Sequence, residues 1–185
     1  MTMGVEVTAR FQMLRVRAVL MRDDRDEPIL VENGIAVVRG VQTETATRSK
    51  MQFNLSVLPS ISQQLTIVYQ AHDSGGSGTA VSNELRWNPG RKLLATFGIT
   101  VFATPPGAPI YFYEPDVGLQ YAWSRLDGRG SRSVAMLQVT LIRAVDLRIK
   151  FGQTIFDGQR DFGSGLDHVR TDRLRTATCS IRVQV

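Results

Sequence analysis

The residues that carry most enzyme and metal chemistry are few and scattered in this sequence. Its two histidines, His72 and His168, lie far apart, and the one cysteine is Cys179. Neither histidine has another histidine or a cysteine at the spacing of zinc ligands, so the usual zinc sites are not expected. A single cysteine also excludes a disulfide within the chain. We therefore predict no catalytic residue, no metal ligand and no cofactor.

Two other patterns bear a superficial likeness to ligand sites. Residues 75–78 read Gly-Gly-Ser-Gly, but the Lys-Ser/Thr pair and the helix of a phosphate-binding loop do not follow. Acidic clusters lie at residues 23–27 and 157–167, and carboxylate oxygens are ligands that calcium takes. No glycine-anchored loop of EF-hand type frames either cluster. These patterns favour a plain loop and solvated turns.

Arginine supplies nearly all of the positive charge, with 19 arginines against three lysines and a net charge of +5. Guanidinium groups bind phosphate and carboxylate in a bidentate manner, which suits interfaces and nucleic acid. The candidates at outward positions of predicted strands are Arg10, Arg15, Arg17, Arg143 and Arg182. If the first and last strands are neighbours, these arginines form a basic stripe that faces a polyanion or another subunit. Pairing with carboxylates on the same face is the alternative.

Consecutive aromatic residues mark a second candidate surface. Tyr111, Phe112 and Tyr113 follow one another, and successive side chains of a strand point to opposite faces. At least one of them is therefore expected to leave the core. Because interfaces are enriched in Tyr, Trp and Arg, we predict a subunit contact here, with packing in the core or under a loop as the alternative.

The elements that position these residues follow a period of two. Val5, Val7, Ala9 and Phe11 alternate with polar residues, and the phase then flips at Leu14. Such a one-residue slip predicts a β-bulge, or a crossing between sheets, in one long bent strand. Asn33-Gly34 between β-branched runs predicts a hairpin, since a type I′ turn needs positive φ at both positions.

The rest of the chain continues the strand pattern. Residues 23–28 predict a polar turn, and residues 157–165 a glycine-rich loop. Residues 133–151 fit a helix or two strands, and their β-branched content favours two strands. The last strand is predicted to reach the C-terminal residue.

Roughly nine or ten short strands separated by turn signals are typical of a sandwich or a barrel. We predict one all-β domain over residues 1–185, an antiparallel two-sheet sandwich or jelly roll with little helix.

Three segments in the middle of the chain carry a family resemblance: FNLSVLPSISQQLTIVYQ, LRWNPGRKL and YEPDVGLQYAWSRLDG. Together they make residues 53–128 resemble the Calx-beta type of sandwich domain. The resemblance implies that Glu114 and Asp116 match the acidic turn of that family. The other calcium-binding acidic residues of the family are not evident in this sequence.

The expected location follows from the apolar segments. The N-terminal residues lack the apolar region of a signal peptide, and no run approaches the roughly 18 apolar residues of a membrane span. We therefore expect a protein made in a cytoplasm, without a membrane span.

An extensive sheet, long loops and no visible chemistry favour a structural self-assembling subunit. A viral or phage capsid or virion protein, of the shell or of its decoration, fits the size and the strand pattern. Its partners would be further copies or other structural subunits; nucleic acid is weakly supported because no basic arm is present. The alternative is a monomeric β-sandwich binding module that uses residues 72–79 and 103–109, and an enzyme is least favoured.

Overall fold

The computed structural model describes residues 2–32, 37–72, 76–105, 109–118, 121–142, 145–162 and 169–183. These residues form eleven strands and no helix. The predicted all-β, antiparallel class is confirmed. The strands are β1 (Thr2–Phe11), β2 (Leu14–Glu32), β3 (Val37–Leu58), β4 (Ile61–His72), β5 (Gly76–Gly90), β6 (Leu93–Ala103), β7 (Ile110–Pro115), β8 (Tyr121–Leu126), β9 (Arg129–Ile142), β10 (Val145–Phe162) and β11 (Val169–Val183).

Nine of these strands form one antiparallel sheet in the order β1-β2-β3-β4-β5-β6-β9-β10-β11. β7 and β8 form a separate hairpin, which the chain inserts between β6 and β9. Apart from this insertion, each strand pairs with the next one along the chain. Among the described residues, β1 pairs only with β2 and β11 only with β10, so each leaves one edge unpaired.

The two ends of the sheet differ in their connections. At one end, which we call the turn end, two-residue turns join neighbouring strands at Gln12-Met13, Pro59-Ser60 and Arg91-Lys92. Backbone hydrogen bonds connect these turns to nearby strands, with Ser56 N donating to Met13 O at 3.0 Å and Thr140 N to Lys92 O at 2.8 Å. The other end, the loop end, carries the longer connections, including the whole β7–β8 insertion.

The prediction of one long bent strand at the N-terminus is wrong. β1 and β2 are separate strands that pair antiparallel, and Phe11 lies opposite Leu14. Gln12 in the turn has φ 44°, in the left-handed region that glycine and asparagine favour. The change of phase at Leu14 thus marks a tight turn at Gln12-Met13. The sequence did not predict this turn, because glutamine is not a typical turn residue.

Two predicted loops are strands. The backbone of residues 23–28 continues β2, because its pairing with β3 runs through Glu32 opposite Val37. β10 extends to Phe162, with a register shift between Ile155 and Arg160, so most of the predicted loop at 157–165 is strand. The two-strand prediction for residues 133–151 is confirmed by β9 and β10. The Asn33-Gly34 turn and the last two residues lie outside the described residues.

The alternation divides the sheet into two faces of opposite polarity. One face, which we call the apolar face, is largely exposed: Val101 is 58% exposed and Ile181 68%. Its members, placed by the register of the pairs, include Val5, Val7, Ala9, Phe11, Leu14, Val16, Ala18, Leu20, Met51, Phe53, Leu55, Leu65, Ile67, Tyr69, Val81, Leu85, Trp87, Ala95, Phe97, Ile99, Val101, Ala135, Leu137, Ile149, Phe151, Ala177, Cys179, Ile181 and Val183.

The opposite face, the polar face, is the better buried one. Thr66 is 2% exposed and Thr154 4%. Its members include Thr8, Arg10, Arg15, Arg17, Lys50, Gln52, Asn54, Gln64, Thr66, Ser82, Glu84, Arg86, Thr96, Thr100, Arg132, Gln138, Arg148, Lys150, Thr154, Thr176, Thr178, Ser180 and Arg182. The expectation that the alternating apolar residues face a core is therefore wrong for the sheet.

A small apolar core lies where the hairpin packs on the polar face near the loop end. Val68, Ala80 and Phe102 of the sheet meet Ile110 and Leu126 of the hairpin, and all five side chains are buried. The rings of Phe102 and Phe156 pack edge to face with centroids 6.2 Å apart. The hairpin is the element that supplies the sheet with its buried apolar contacts.

Candidate functional site on the polar face

Glu114 on β7 is the centre of an ionic network between the hairpin and the sheet. Arg132 on β9 donates to both carboxylate oxygens, from Nε at 2.7 Å and from Nη2 at 2.8 Å. Its third nitrogen, Nη1, donates to Thr154 Oγ1 at 2.8 Å. Such a bidentate pair fixes orientation as well as distance, and both side chains are largely buried.

Lys150 on β10 extends this network to a second carboxylate. Its Nζ donates to Glu114 Oε1 at 3.0 Å and to Asp116 Oδ1 at 3.1 Å. Burial raises the pKa of Glu114, but hydrogen bonds and positive charges from Arg132 and Lys150 outweigh burial and hold that pKa below its ordinary value. The pKa of Asp116 is also lowered: burial opposes this, and Lys150 outweighs it. Two cations thus face two ionised carboxylates.

Further contacts attach the hairpin at its base and across the sheet. Thr104, just after β6, donates its backbone N–H to Gly128 O at 2.7 Å, and Gly128 N donates to Thr104 Oγ1 at 2.6 Å. On the far side, Arg48 Nη2 of β3 donates to Tyr111 O at 2.8 Å.

The hairpin reaches strands that are far apart in the sheet. β3 and β10 are five strand positions apart in the strand order. β7 contacts both of them, through Arg48 at Tyr111 O and through Lys150 at Glu114 Oε1. The hairpin therefore lies across the polar face of the central strands.

Two glycines of the polar face leave the space that the hairpin and its network occupy. A Cβ on Gly78 would lie 3.1 Å from Ile110 Cδ1. A Cβ on Gly152 would lie 2.7 Å from Thr176 Oγ1 and 3.3 Å from Arg132 Nη2. Because these distances are shorter than ordinary contacts, side chains at these positions would push against the hairpin and against Arg132.

Four of the five predicted arginines lie on the polar face. Arg17 pairs with Glu6 at 2.8 Å, whereas Arg10 and Arg15 are direct partners in the β1–β2 register. Arg182 lies on β11 at the opposite edge, so among the described residues the sheet does not bring it next to β1. Arg143 lies outside the described residues.

A cavity of about 320 Å³ opens on the polar face at the turn end. Three arginines line it, Arg10, Arg15 and Arg86, together with the carboxylate of Glu84 and with the amide side chains of Asn54 and Gln64. Arg86 Nε donates to Glu84 Oε1 at 2.6 Å. Like charges on opposite register positions repel, which makes Arg10 and Arg15 an unusual pair.

The predicted aromatic set divides between the two sides of the hairpin. Phe112 packs against the small core, while Tyr111 and Tyr113 are exposed. Tyr113 stacks on Trp123 of β8 with ring centroids 3.6 Å apart. Their predicted role in a subunit contact stays a prediction.

Metal binding has no support from the geometry of the described residues. No group of three or more His, Cys, Asp or Glu side chains comes together among them. Glu114 and Asp116, which the Calx-beta resemblance places in an acidic turn, are engaged by Lys150 and Arg132. In the described part of the chain no helix is long and apolar enough to cross a membrane.

Sequence reasoning missed the network because its members are far apart in the chain. Arg132 and Lys150 carried no motif, and Glu114 was noticed only through a resemblance. The available signal was the alternation itself, since Lys150 and Arg132 occupy polar phases of strands whose other phase is apolar.

Comparisons with known proteins do not identify a family for this chain. No family model matches the sequence, and no curated protein matches it. Among solved structures, the chain is similar to one described as "NanC porin structure in rhombohedral crystal form". The TM-score is 0.46 at 8% sequence identity, covering 100% of this chain and 93% of that chain.

Proposed function

We propose that the nine-stranded sheet lies in a lipid bilayer, with its apolar face against acyl chains and its polar face turned to an aqueous interior that the hairpin obstructs. The observation that carries this proposal is the polarity of the two faces. The apolar face is exposed and carries apolar residues on all nine strands, whereas the polar face is buried mainly where the hairpin covers it and, outside the small core, carries mostly polar or charged residues. A protein in water has the reverse arrangement, since exposed apolar patches beyond a few hundred Å² mark interfaces or membrane surfaces.

Strand length supports the bilayer as the medium. Each strand of the sheet has at least 10 residues, and β3 has 22. Strands of water-soluble domains are mostly shorter, whereas a tilted membrane-crossing strand needs about 9–11 residues. The two strands of the hairpin, with 6 residues each, have ordinary lengths.

The apolar set crosses the sheet at an angle to the rows of paired residues. One row of paired residues crosses all nine strands from Phe11 to Ala177. Phe11 is the last apolar residue of β1, whereas Ala177 is the first residue of the apolar set on β11. Arg173 and Arg175 precede Ala177 on the same face and are exposed. The apolar set thus forms a band that runs obliquely to the rows of paired residues and has a charged border. Strands that are tilted in a bilayer of fixed thickness need such a band.

Several polar residues interrupt the apolar face, and two of them satisfy each other. Gln63 Nε2 donates to Asn83 Oδ1 at 3.0 Å. In a bilayer the backbone groups at the outer edges of β1 and β11 also need partners, because an unpaired edge in hydrocarbon costs several kcal/mol for each group. The proposal therefore requires the sheet to close into a cylinder, through pairing of these edges with each other or with further strands.

Flotation with vesicles tests the proposal. The full chain, diluted from urea into phosphatidylcholine vesicles, is expected to float with the lipid in a density gradient and to resist alkaline extraction. Dilution without lipid or detergent is expected to give aggregates. A sharp size-exclusion peak without lipid, together with protein left at the bottom of the gradient, would contradict it.

A second candidate keeps the predicted two-sheet sandwich and the structural role. Two copies that pack apolar face to apolar face would make two layers over a shared apolar middle, and repeated association of this kind fits a self-assembling shell subunit of a virus or phage. The open edges of β1 and β11 favour it, because edge strands can pair with another copy. Light scattering that reports defined oligomers without lipid would support this candidate over the bilayer.

A further inference from the structure

We infer that the cavity at the turn end of the polar face binds a small multivalent oxyanion, of the phosphate or polycarboxylate class, between Arg10 and Arg15. This inference concerns the polar face and holds whichever partner covers the apolar face. The bound anion would pair with Arg10 and Arg15, which the network around Glu114 does not contact.

The cavity carries net positive charge. Three arginines and one glutamate line the cavity, so it carries two uncompensated positive charges. Glu84 is engaged by Arg86 at 2.6 Å, and Arg17, the neighbour of Arg15 on the same face, is engaged by Glu6 at 2.8 Å. Among the described residues neither Arg10 nor Arg15 has an ion pair. The positive charge that remains is therefore concentrated on these two side chains.

The two arginines without an ion pair among the described residues also lie side by side. Arg10 and Arg15 are directly opposite each other in the last pairs before the Gln12-Met13 turn, so their Cβ atoms are about 5 Å apart. Side chains at such positions leave the sheet on the same face and side by side. Two guanidinium groups in this arrangement repel each other, and an anion between them converts the repulsion into paired charge-assisted hydrogen bonds.

The remaining lining determines the kind of anion. Amide and hydroxyl groups of Asn54, Ser62 and Gln64 lie beside the arginines, and such groups donate and accept hydrogen bonds. A volume of about 320 Å³ accommodates a small molecule but not a folded polymer. The ligand class is thus a compact, hydrophilic anion that carries at least two negative charges.

Titration calorimetry with inorganic pyrophosphate on the purified full chain in detergent, at low salt, tests this site. R10A and R15A are each expected to weaken binding roughly tenfold or more, since each removes charge-assisted hydrogen bonds. R10K, which keeps the charge but not the bidentate fork, should lie between R10A and the unmodified chain. The matched control is R91A, which removes an exposed arginine at the same end but outside the cavity, and it should change affinity less than twofold.

Two results would overturn the inference. One is that the unmodified chain binds no pyrophosphate while circular dichroism shows it to be folded. The other is that R91A weakens binding as much as R10A and R15A, which would mean general attraction to a basic surface. Because flotation uses net-neutral phosphatidylcholine vesicles without pyrophosphate, a failed bilayer proposal and a failed anion site give separate signals.

Discussion

At the scale of single residues, charge determines how the hairpin is held. Glu114 accepts three hydrogen bonds from Arg132 and Lys150, and these contacts join an inserted hairpin to two neighbouring strands of the sheet. The same side chains leave the carboxylates of Glu114 and Asp116 paired with cations of the chain itself. A pairing of this kind stabilises the docked hairpin only while the carboxylates are ionised.

We therefore expect acid to release the hairpin. The pKa values of Glu114 and Asp116 are lowered in the folded protein from their ordinary values of 4.5 and 3.8. Their contribution to the stability of the docked hairpin is therefore complete above these ordinary values, and it is lost as the pH falls below them. In W87F, where Trp123 is the one remaining tryptophan, emission should be constant from pH 8 to about pH 5 and change below about pH 4.5.

A matched variant makes this test specific. W87F with E114Q lacks the ionised carboxylate at every pH, and docking should be weaker by about 1–3 kcal/mol at pH 7. At neutral pH its Trp123 emission should be closer to the emission that W87F shows in acid. The change in emission on acidification should be smaller than in W87F. Identical pH profiles with and without E114Q would show that Glu114 does not hold the hairpin.

At the scale of elements, the alternation of apolar and polar residues locates the strands. It does not identify the solvent that each face of the sheet meets. Period two located most strands, including β9 and β10 in a segment that also fitted a helix. It does not say which face is buried, because Val5 and Val7 alternate with polar residues in the same way in water and in lipid. The expectation of no membrane span concerns helical spans alone, and it stays a prediction.

Turn chemistry explains the remaining errors. The Gln12-Met13 turn had no glycine or asparagine to announce it, and the acidic run at residues 23–28 looked like a turn although its backbone pairs with β3. The network around Glu114 could not be read from sequence, because it depends on where the inserted hairpin folds back.

The two faces give an element-scale prediction from adjacent positions of β9. Leu137 lies on the apolar face and Gln138 on the polar face. A lysine facing the middle of a bilayer costs about 2–4 kcal/mol, so L137K should reduce the fraction of protein that floats with vesicles. Q138K adds the same charge to the other face and should leave that fraction unchanged. Equal loss in both variants would show that the faces do not differ in their surroundings.

At the scale of the whole molecule, the surroundings of the protein are determined by what covers the apolar face. A bilayer, a second copy and a further layer of protein would each bury it, but they place different demands on the edges of β1 and β11. Lipid requires closure of the sheet, whereas face-to-face association tolerates open edges in water. The anion site and the hairpin network lie on the polar face and are compatible with each arrangement.

The most direct test uses the two tryptophans, one on each side of the molecule. Trp87 is on the apolar face near the turn end, and Trp123 is on the hairpin. In vesicles whose acyl chains carry bromine near the carbonyl end, W123F, which retains Trp87, should be strongly quenched, and W87F, which retains Trp123, should not. Unquenched Trp87, or equal quenching of both, would contradict a sheet whose apolar face lies in lipid.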